Sequence, residues 1–105
     1  MTSVPHIWSE EAGDAHRPLI AIVHGTMDRS AGMLRLSRRL DDRYRVLRFD
    51  ARGCGATTRT PPGERYAIDQ FVRDAIGLLD ALDIERVHWV GESSGGIVGL
   101  TAALE

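Results

Sequence analysis

A three-layer α/β/α fold built on a mostly parallel sheet is what this 105-residue sequence predicts. Three observations lead there. Apolar runs alternate with stretches of helical periodicity. The strongest run is apolar at every position, as a strand covered on both faces is. The resulting order is strand, helix, strand, helix, strand, helix, the pattern of a parallel sheet with right-handed crossovers.

Residues 1–18 are polar and irregular, with a short strand predicted at His6-Ile7-Trp8. Leu19-Ile20-Ala21-Ile22-Val23 is the first strong strand, and His24-Gly25 stops it. Ser30 is placed to cap a helix in which Met33, Leu36 and Leu40 share a face and arginines occupy the others. Residues 44–49 form the second strong strand. Residues 50–62 are rich in Gly, Thr and Pro and read as a loop. A helix follows over 67–82, with Ile68, Phe71, Val72, Ala75, Leu79 and Leu82 on one side. Gly77 weakens it by about 1 kcal/mol relative to alanine. Residues 86–90 give the third strand. Residues 97–104 are apolar nearly all round, which predicts a buried last helix. No repeat or linker divides the chain, so residues 1–105 are expected to belong to a single domain.

Composition excludes several classes of function. A formal net charge of -2, with 13 basic and 15 acidic residues interspersed, provides no field for nucleic acid or an anionic membrane. Arginines 35, 38, 39 and 43 gather locally, but Asp41 and Asp42 lie among them, as on a solvated helix face. One cysteine, Cys54, forms no internal disulfide and fits a reducing compartment. The N-terminus lacks the charged and apolar regions of a signal peptide, and the apolar stretch at 93–104 is too short to span a bilayer. A cytoplasmic location is therefore expected. No Cys/His/Asp cluster has metal-ligand spacing, and no glycine-rich phosphate fingerprint follows the first strong strand, so neither metal nor cofactor is expected and a nucleotide-binding βαβ module is excluded.

The chemistry concentrates at Gly91-Glu92-Ser93-Ser94-Gly95. The bare Gly-x-Ser-x-Gly pattern is only suggestive; its place at a strand-to-helix junction makes it specific. A nucleophile on so tight a turn needs small neighbours, and the turn lifts the serine oxygen clear of the sheet. The first amides of the following helix, notably that of Ser94, then lie where a substrate oxygen becomes negative. Choosing Ser94 as nucleophile would put Glu92 where the first glycine belongs, so Ser93 is the candidate.

Two further motifs stand at the ends of the other strands: His24-Gly25-Thr26 after the first and Asp50-Ala51-Arg52-Gly53-Cys54-Gly55 after the second. With the elbow and their mutual spacing, they resemble the α/β-hydrolase fold superfamily, in detail the esterase-like serine hydrolases of bacteria, from about residue 18 to the chain end. The resemblance implies a partial α/β-hydrolase fold in which the loop after His24-Gly25 lies beside the elbow. It implies an oxyanion hole from the amides of Thr26 and Ser94, a pocket mouth lined by Met27, and a pocket that includes His24 and Gly25. It also implies that His24 supports the oxyanion loop rather than acting as base, and that Asp50 and Arg52 form a loop-organising salt bridge. Strand topology supports the proximity: if the second strand lies on one side of the first and the third on the other, ligands bind where the order switches. His88 reads as a core or interface histidine, Glu92 as a packing residue at a variable position, and Cys54 as inert.

The implied activity is acyl transfer from a small ester, thioester or amide to water, with Ser93 attacking the carbonyl. A serine needs a base, and the base an orienting carboxylate, which in this family follow the serine in the chain. Only residues 94–105 follow here; no histidine is among them, and Glu105 is about three helical turns away. The 105 residues alone are thus expected to be inactive, with little labelling of Ser93 by a fluorophosphonate probe. They are also expected to be poorly soluble, oligomeric or partly molten, self-associating through an open sheet edge. The alternative is a non-catalytic remnant, a binding module or half-domain that pairs with another chain. Substrate identity, set by later loops, lies outside these residues.

Overall fold

Strands β1 (Ser9–Ala12), β2 (Leu19–Val23), β3 (Arg45–Phe49) and β4 (His88–Gly91) form one sheet in the order β1-β3-β2-β4. Helices α1 (Leu34–Leu40), α2 (Ile68–Ala81) and α3 (Ser94–Ala102) complete the elements of the described residues, and a 3-10 turn at Ser30–Met33 leads into α1. The computed structural model describes residues 7–25, 29–52 and 68–104.

The alternation predicted from sequence is the one observed. β2 pairs in parallel with β3 on one side and with β4 on the other. Every residue of β2 is buried, as its unbroken apolar run requires. Ile20 and Ile22 face a cluster with Val46, Met33 and Leu40 beneath α1. Ala21 and Val23 face the opposite cluster, where Phe49, Val72, Ala75, Leu78 and Val98 pack under α2 and α3. The sheet is therefore sandwiched, and the switch in strand order falls between β2 and β4.

Several boundaries and faces differ from the expectations, each for a local reason. The early strand is Ser9–Ala12, after Ile7 and Trp8 rather than through them. Acidic Ser-Glu-Glu-Ala has no apolar pattern; it pairs antiparallel with β3 and is held there by charge. Glu10 meets Arg48 at 2.7 Å, and Glu11 meets Arg45 at 2.8 Å. Ser30 is not the cap: it lies inside the 3-10 turn, Arg29 is the N-cap of that turn and Met33 that of α1, and neither makes a side-chain cap bond. The Ser30 amide donates to Asp50 Oδ1 at 2.8 Å, so a carboxylate at the end of β3 satisfies the first turn. In α1 the inward face carries Met33, Ser37 and Leu40, while Leu36 is exposed. In α2, Leu78 rather than Leu79 is buried, and Ile68 is exposed.

The predicted burial of the last helix is not observed. Only Gly95 and Val98 of α3 are buried, while Ile97 is 54% exposed and Leu100 75%. Val90 of β4 is also exposed, and among the described residues β4 pairs on one side only. An all-round apolar helix needs covering on every side, and α2 with the sheet covers one. No helix among the described residues is long and apolar enough to cross a membrane.

Candidate active site at the strand-to-helix elbow

β4 ends at Gly91 and α3 begins at Ser94, so Glu92 and Ser93 alone make the turn. Ser93 has φ 54° and ψ −116°, a backbone region that a residue with a Cβ avoids. Such a conformation costs roughly 1–3 kcal/mol and persists only where the surroundings enforce it. Only one other described non-glycine residue has positive φ, Asp83, which closes α2 at a helix end where that is ordinary.

The flanking glycines are what let the turn close. A Cβ on Gly91 would overlap the backbone of Gly95 and Gly96. One on Gly95 would lie 2.6 Å from the Val23 carbonyl oxygen and 2.8 Å from that of His24. The first turn of α3 thus rests directly on the end of β2. Glu92 extends the contact, its amide donating to the Val23 carbonyl at 2.9 Å. Its side chain is exposed, so the packing role expected for it is not observed.

Ser93 occupies the N-cap position of α3, where a serine oxygen ordinarily accepts from an amide of the first turn. Here it makes no such bond, and the residue is exposed. Helix capping therefore does not account for this serine.

Gly25 lies against the same turn: a Cβ there would come 3.1 Å from the Glu92 carbonyl oxygen and 3.4 Å from Ser93 Cβ. The chain leaving β2 thus runs beside the elbow. Thr26 and Met27, the predicted second oxyanion donor and pocket-mouth residue, lie outside the described residues, as do Gly53, Cys54, Gly55 and Glu105.

His24 is 3% exposed and committed at both ring nitrogens. The Ala51 amide donates to Nε2 at 3.0 Å, and Nδ1 lies 2.7 Å from the Gly25 carbonyl oxygen. Since Nε2 accepts, the ring proton sits on Nδ1 and is donated to Gly25. No lone pair remains for a serine proton. His24 instead ties the loop after β2 to the loop after β3. His88 opens β4 at the opposite end from the elbow, about 10 Å from Gly91 at strand rise. It is exposed rather than in the core, because α1 does not extend over β4 on that face.

The ion pair on the β3 loop joins Arg52 to Asp74 of α2, where the sequence suggested Asp50. It is bidentate, at 2.8 and 2.9 Å, with the two side chains 19% and 7% exposed. Nothing in the sequence singles out Asp74. Its spacing from Arg52 carries no local signal, since the two meet only after α2 docks. Together they form one wall of a cavity whose other sides include Gly25, Ser94, Phe49, Phe71 and Val98. Among the described residues no group of three metal-ligating side chains comes together.

Comparison with known proteins places this arrangement in a family. Residues 18–105 match the model of the alpha/beta hydrolase fold. The chain is 35% identical over 95 residues to Epoxide hydrolase A of Mycobacterium tuberculosis, covering 90% of this chain and 30% of that protein. A crystal structure of a hydrolase from Pseudomonas aeruginosa PA01 superposes with a TM-score of 0.87 at 35% identity, over 94% of this chain and 37% of that one. The enol-lactonase from Burkholderia xenovorans LB400 superposes at 0.83 with 30% identity, over 92% and 37%. The chain thus spans about a third of the length of the relatives it matches. With its strand order, its elbow and its match over residues 18–105, the chain belongs to the alpha/beta hydrolase fold family.

Proposed function

We propose that this chain is the nucleophile-bearing, N-terminal segment of a single-domain serine hydrolase. It would act on a small ester, thioester or amide by acyl transfer to water. The observation that carries the reading is Ser93: strained, exposed and free of any capping bond, at the junction of β4 and α3. In the mechanism, Ser93 Oγ attacks the substrate carbonyl while the amides of Ser94 and Thr26 hold the developing oxyanion. Gly25, His24 and Met27 shape the pocket around it. His24 is spent on loop structure, so the proton must pass to a histidine oriented by a carboxylate, both outside these 105 residues. A serine at the elbow disfavours epoxide opening, which resembles this chemistry but uses an aspartate there. No metal or cofactor enters the scheme.

The test is hydrolysis of p-nitrophenyl acetate by the full coding product and by its Ser93→Ala variant. The expected result is turnover in the first and loss of at least about a thousandfold in the second. Turnover surviving in the variant would remove Ser93 from the mechanism.

A second reading, a half-domain that completes its sheet against another chain, is favoured by the open edge of β4 and the exposed Val90, Ile97 and Leu100. Size-exclusion chromatography with light scattering separates the cases. The 105 residues alone are expected to associate or aggregate; a monodisperse monomer with a cooperative thermal transition would contradict that expectation.

A further inference from the structure

The strained elbow needs something to hold it, and one side chain reaches across it. Trp89 stands on β4, two residues before Gly91, on the sheet face that α3 covers. Its indole N–H donates to the Gly95 carbonyl at 2.9 Å, linking the strand before the turn to the first helical turn after it. The ring lies so close to Gly99 that a Cβ at that position would overlap it, which seats the indole one turn further along α3. Its other side meets Phe49 edge to face, with centroids 6.2 Å apart and planes at 65°.

Gly95 is therefore pinned at three points. Its amide donates to the Glu92 carbonyl at 2.9 Å, its α-carbon rests on the carbonyls ending β2, and its own carbonyl takes the Trp89 proton. The first two contacts are backbone alone. Trp89 supplies the third, and Gly99 is the vacancy that admits it. A Phe at position 89 would keep an aromatic ring on Phe49 but provide no donor.

We infer that Trp89 is a positioning residue for the nucleophile: its indole N–H locks the first turn of α3 and thereby holds Ser93 and Ser94 in the elbow geometry. The catalytic meaning rests on Ser93 being the nucleophile, whereas the structural link does not, so the two can fail separately. The measurement is amide hydrogen exchange by NMR in the full coding product. It compares the unaltered protein, Trp89→Phe, and a variant carrying benzothienylalanine at position 89, which replaces N–H by sulfur at nearly unchanged shape.

In both variants, exchange at the Gly95, Gly96 and Ile97 amides is expected to quicken by about tenfold, the loss of one hydrogen bond, with the β2 amides unchanged. A role in packing alone would leave the benzothienyl variant at the original rates, and that result overturns the inference. Uniform quickening across β2 and α3 overturns it as well. So do elbow amides that exchange in the unaltered chain as fast as an unstructured peptide.

Discussion

Adding one methyl group at Gly95 probes the elbow at its tightest point. A Cβ there would sit 2.6 Å from the Val23 carbonyl oxygen and 2.8 Å from the His24 carbonyl oxygen, where ordinary contact begins at 3.4 Å. Both obstacles are backbone, one at the end of the fully buried central strand and one on the buried residue after it, so no side chain can swing aside. Relief requires α3 to lift off β2, and overpacking of this kind costs about 1–3 kcal/mol. At a middle value of about 2 kcal/mol, a domain of about 150–250 residues loses roughly 4–8 °C in Tm. The neighbouring Gly96 provides the control. A Cβ on it meets nothing closer than the Gly91 carbonyl oxygen at 3.4 Å, and the position is helical. Gly96→Ala is therefore expected to be neutral or stabilising by about 0.5–1 kcal/mol through helix propensity. Urea titration of the full coding product, followed by tryptophan fluorescence, reads both variants. Equal midpoints for Gly95→Ala and the unaltered chain, or an equal loss for both variants, would refute the close-approach argument.

Three other perturbations test separate parts of the account. Gly77 is exposed in mid-helix with open space around its α-carbon, so Gly77→Ala is expected to raise stability by about 0.5–1 kcal/mol in the same titration. Removing one partner of the Arg52–Asp74 pair, as in Arg52→Ala, should cost about 3 kcal/mol, since it takes the bidentate guanidinium away from a carboxylate only 7% exposed. The double variant Arg52→Met/Asp74→Leu should recover most of that loss, and failure to recover it would show that the pair does more than fill space. Long-range nitrogen–proton NMR should find the His24 proton on Nδ1; an Nε2–H signal would contradict the loop tie inferred from Ala51 and Gly25.

Much of the fold was legible because the informative residues are local. Five consecutive apolar residues identify β2, and the glycines around Ser93 mark the elbow before any coordinates. Features that depend on distant partners were not. Ser9–Ala12 carries no strand pattern and becomes one through Arg48 and Arg45, more than thirty residues away. In α1 the inward place is taken by Ser37, a polar residue that an apolar pattern passes over, leaving Leu36 outside. Asp74 shows no sign of its partner in sequence, because Arg52 lies 22 residues away and the two meet only once α2 docks. The apolar character of α3 is plain in its sequence and its exposure is not, since burial belongs to what packs on a helix as well as to the helix itself.

The central claim is that Ser93 is a nucleophile by position. Reaction of the full coding product with a fluorophosphonate, followed by peptide mapping, tests it most directly. The account expects a single adduct on the peptide containing Ser93, absent in Ser93→Ala and scarcely formed by the 105 residues alone. An adduct on any other residue, with Ser93 unmodified, would contradict it.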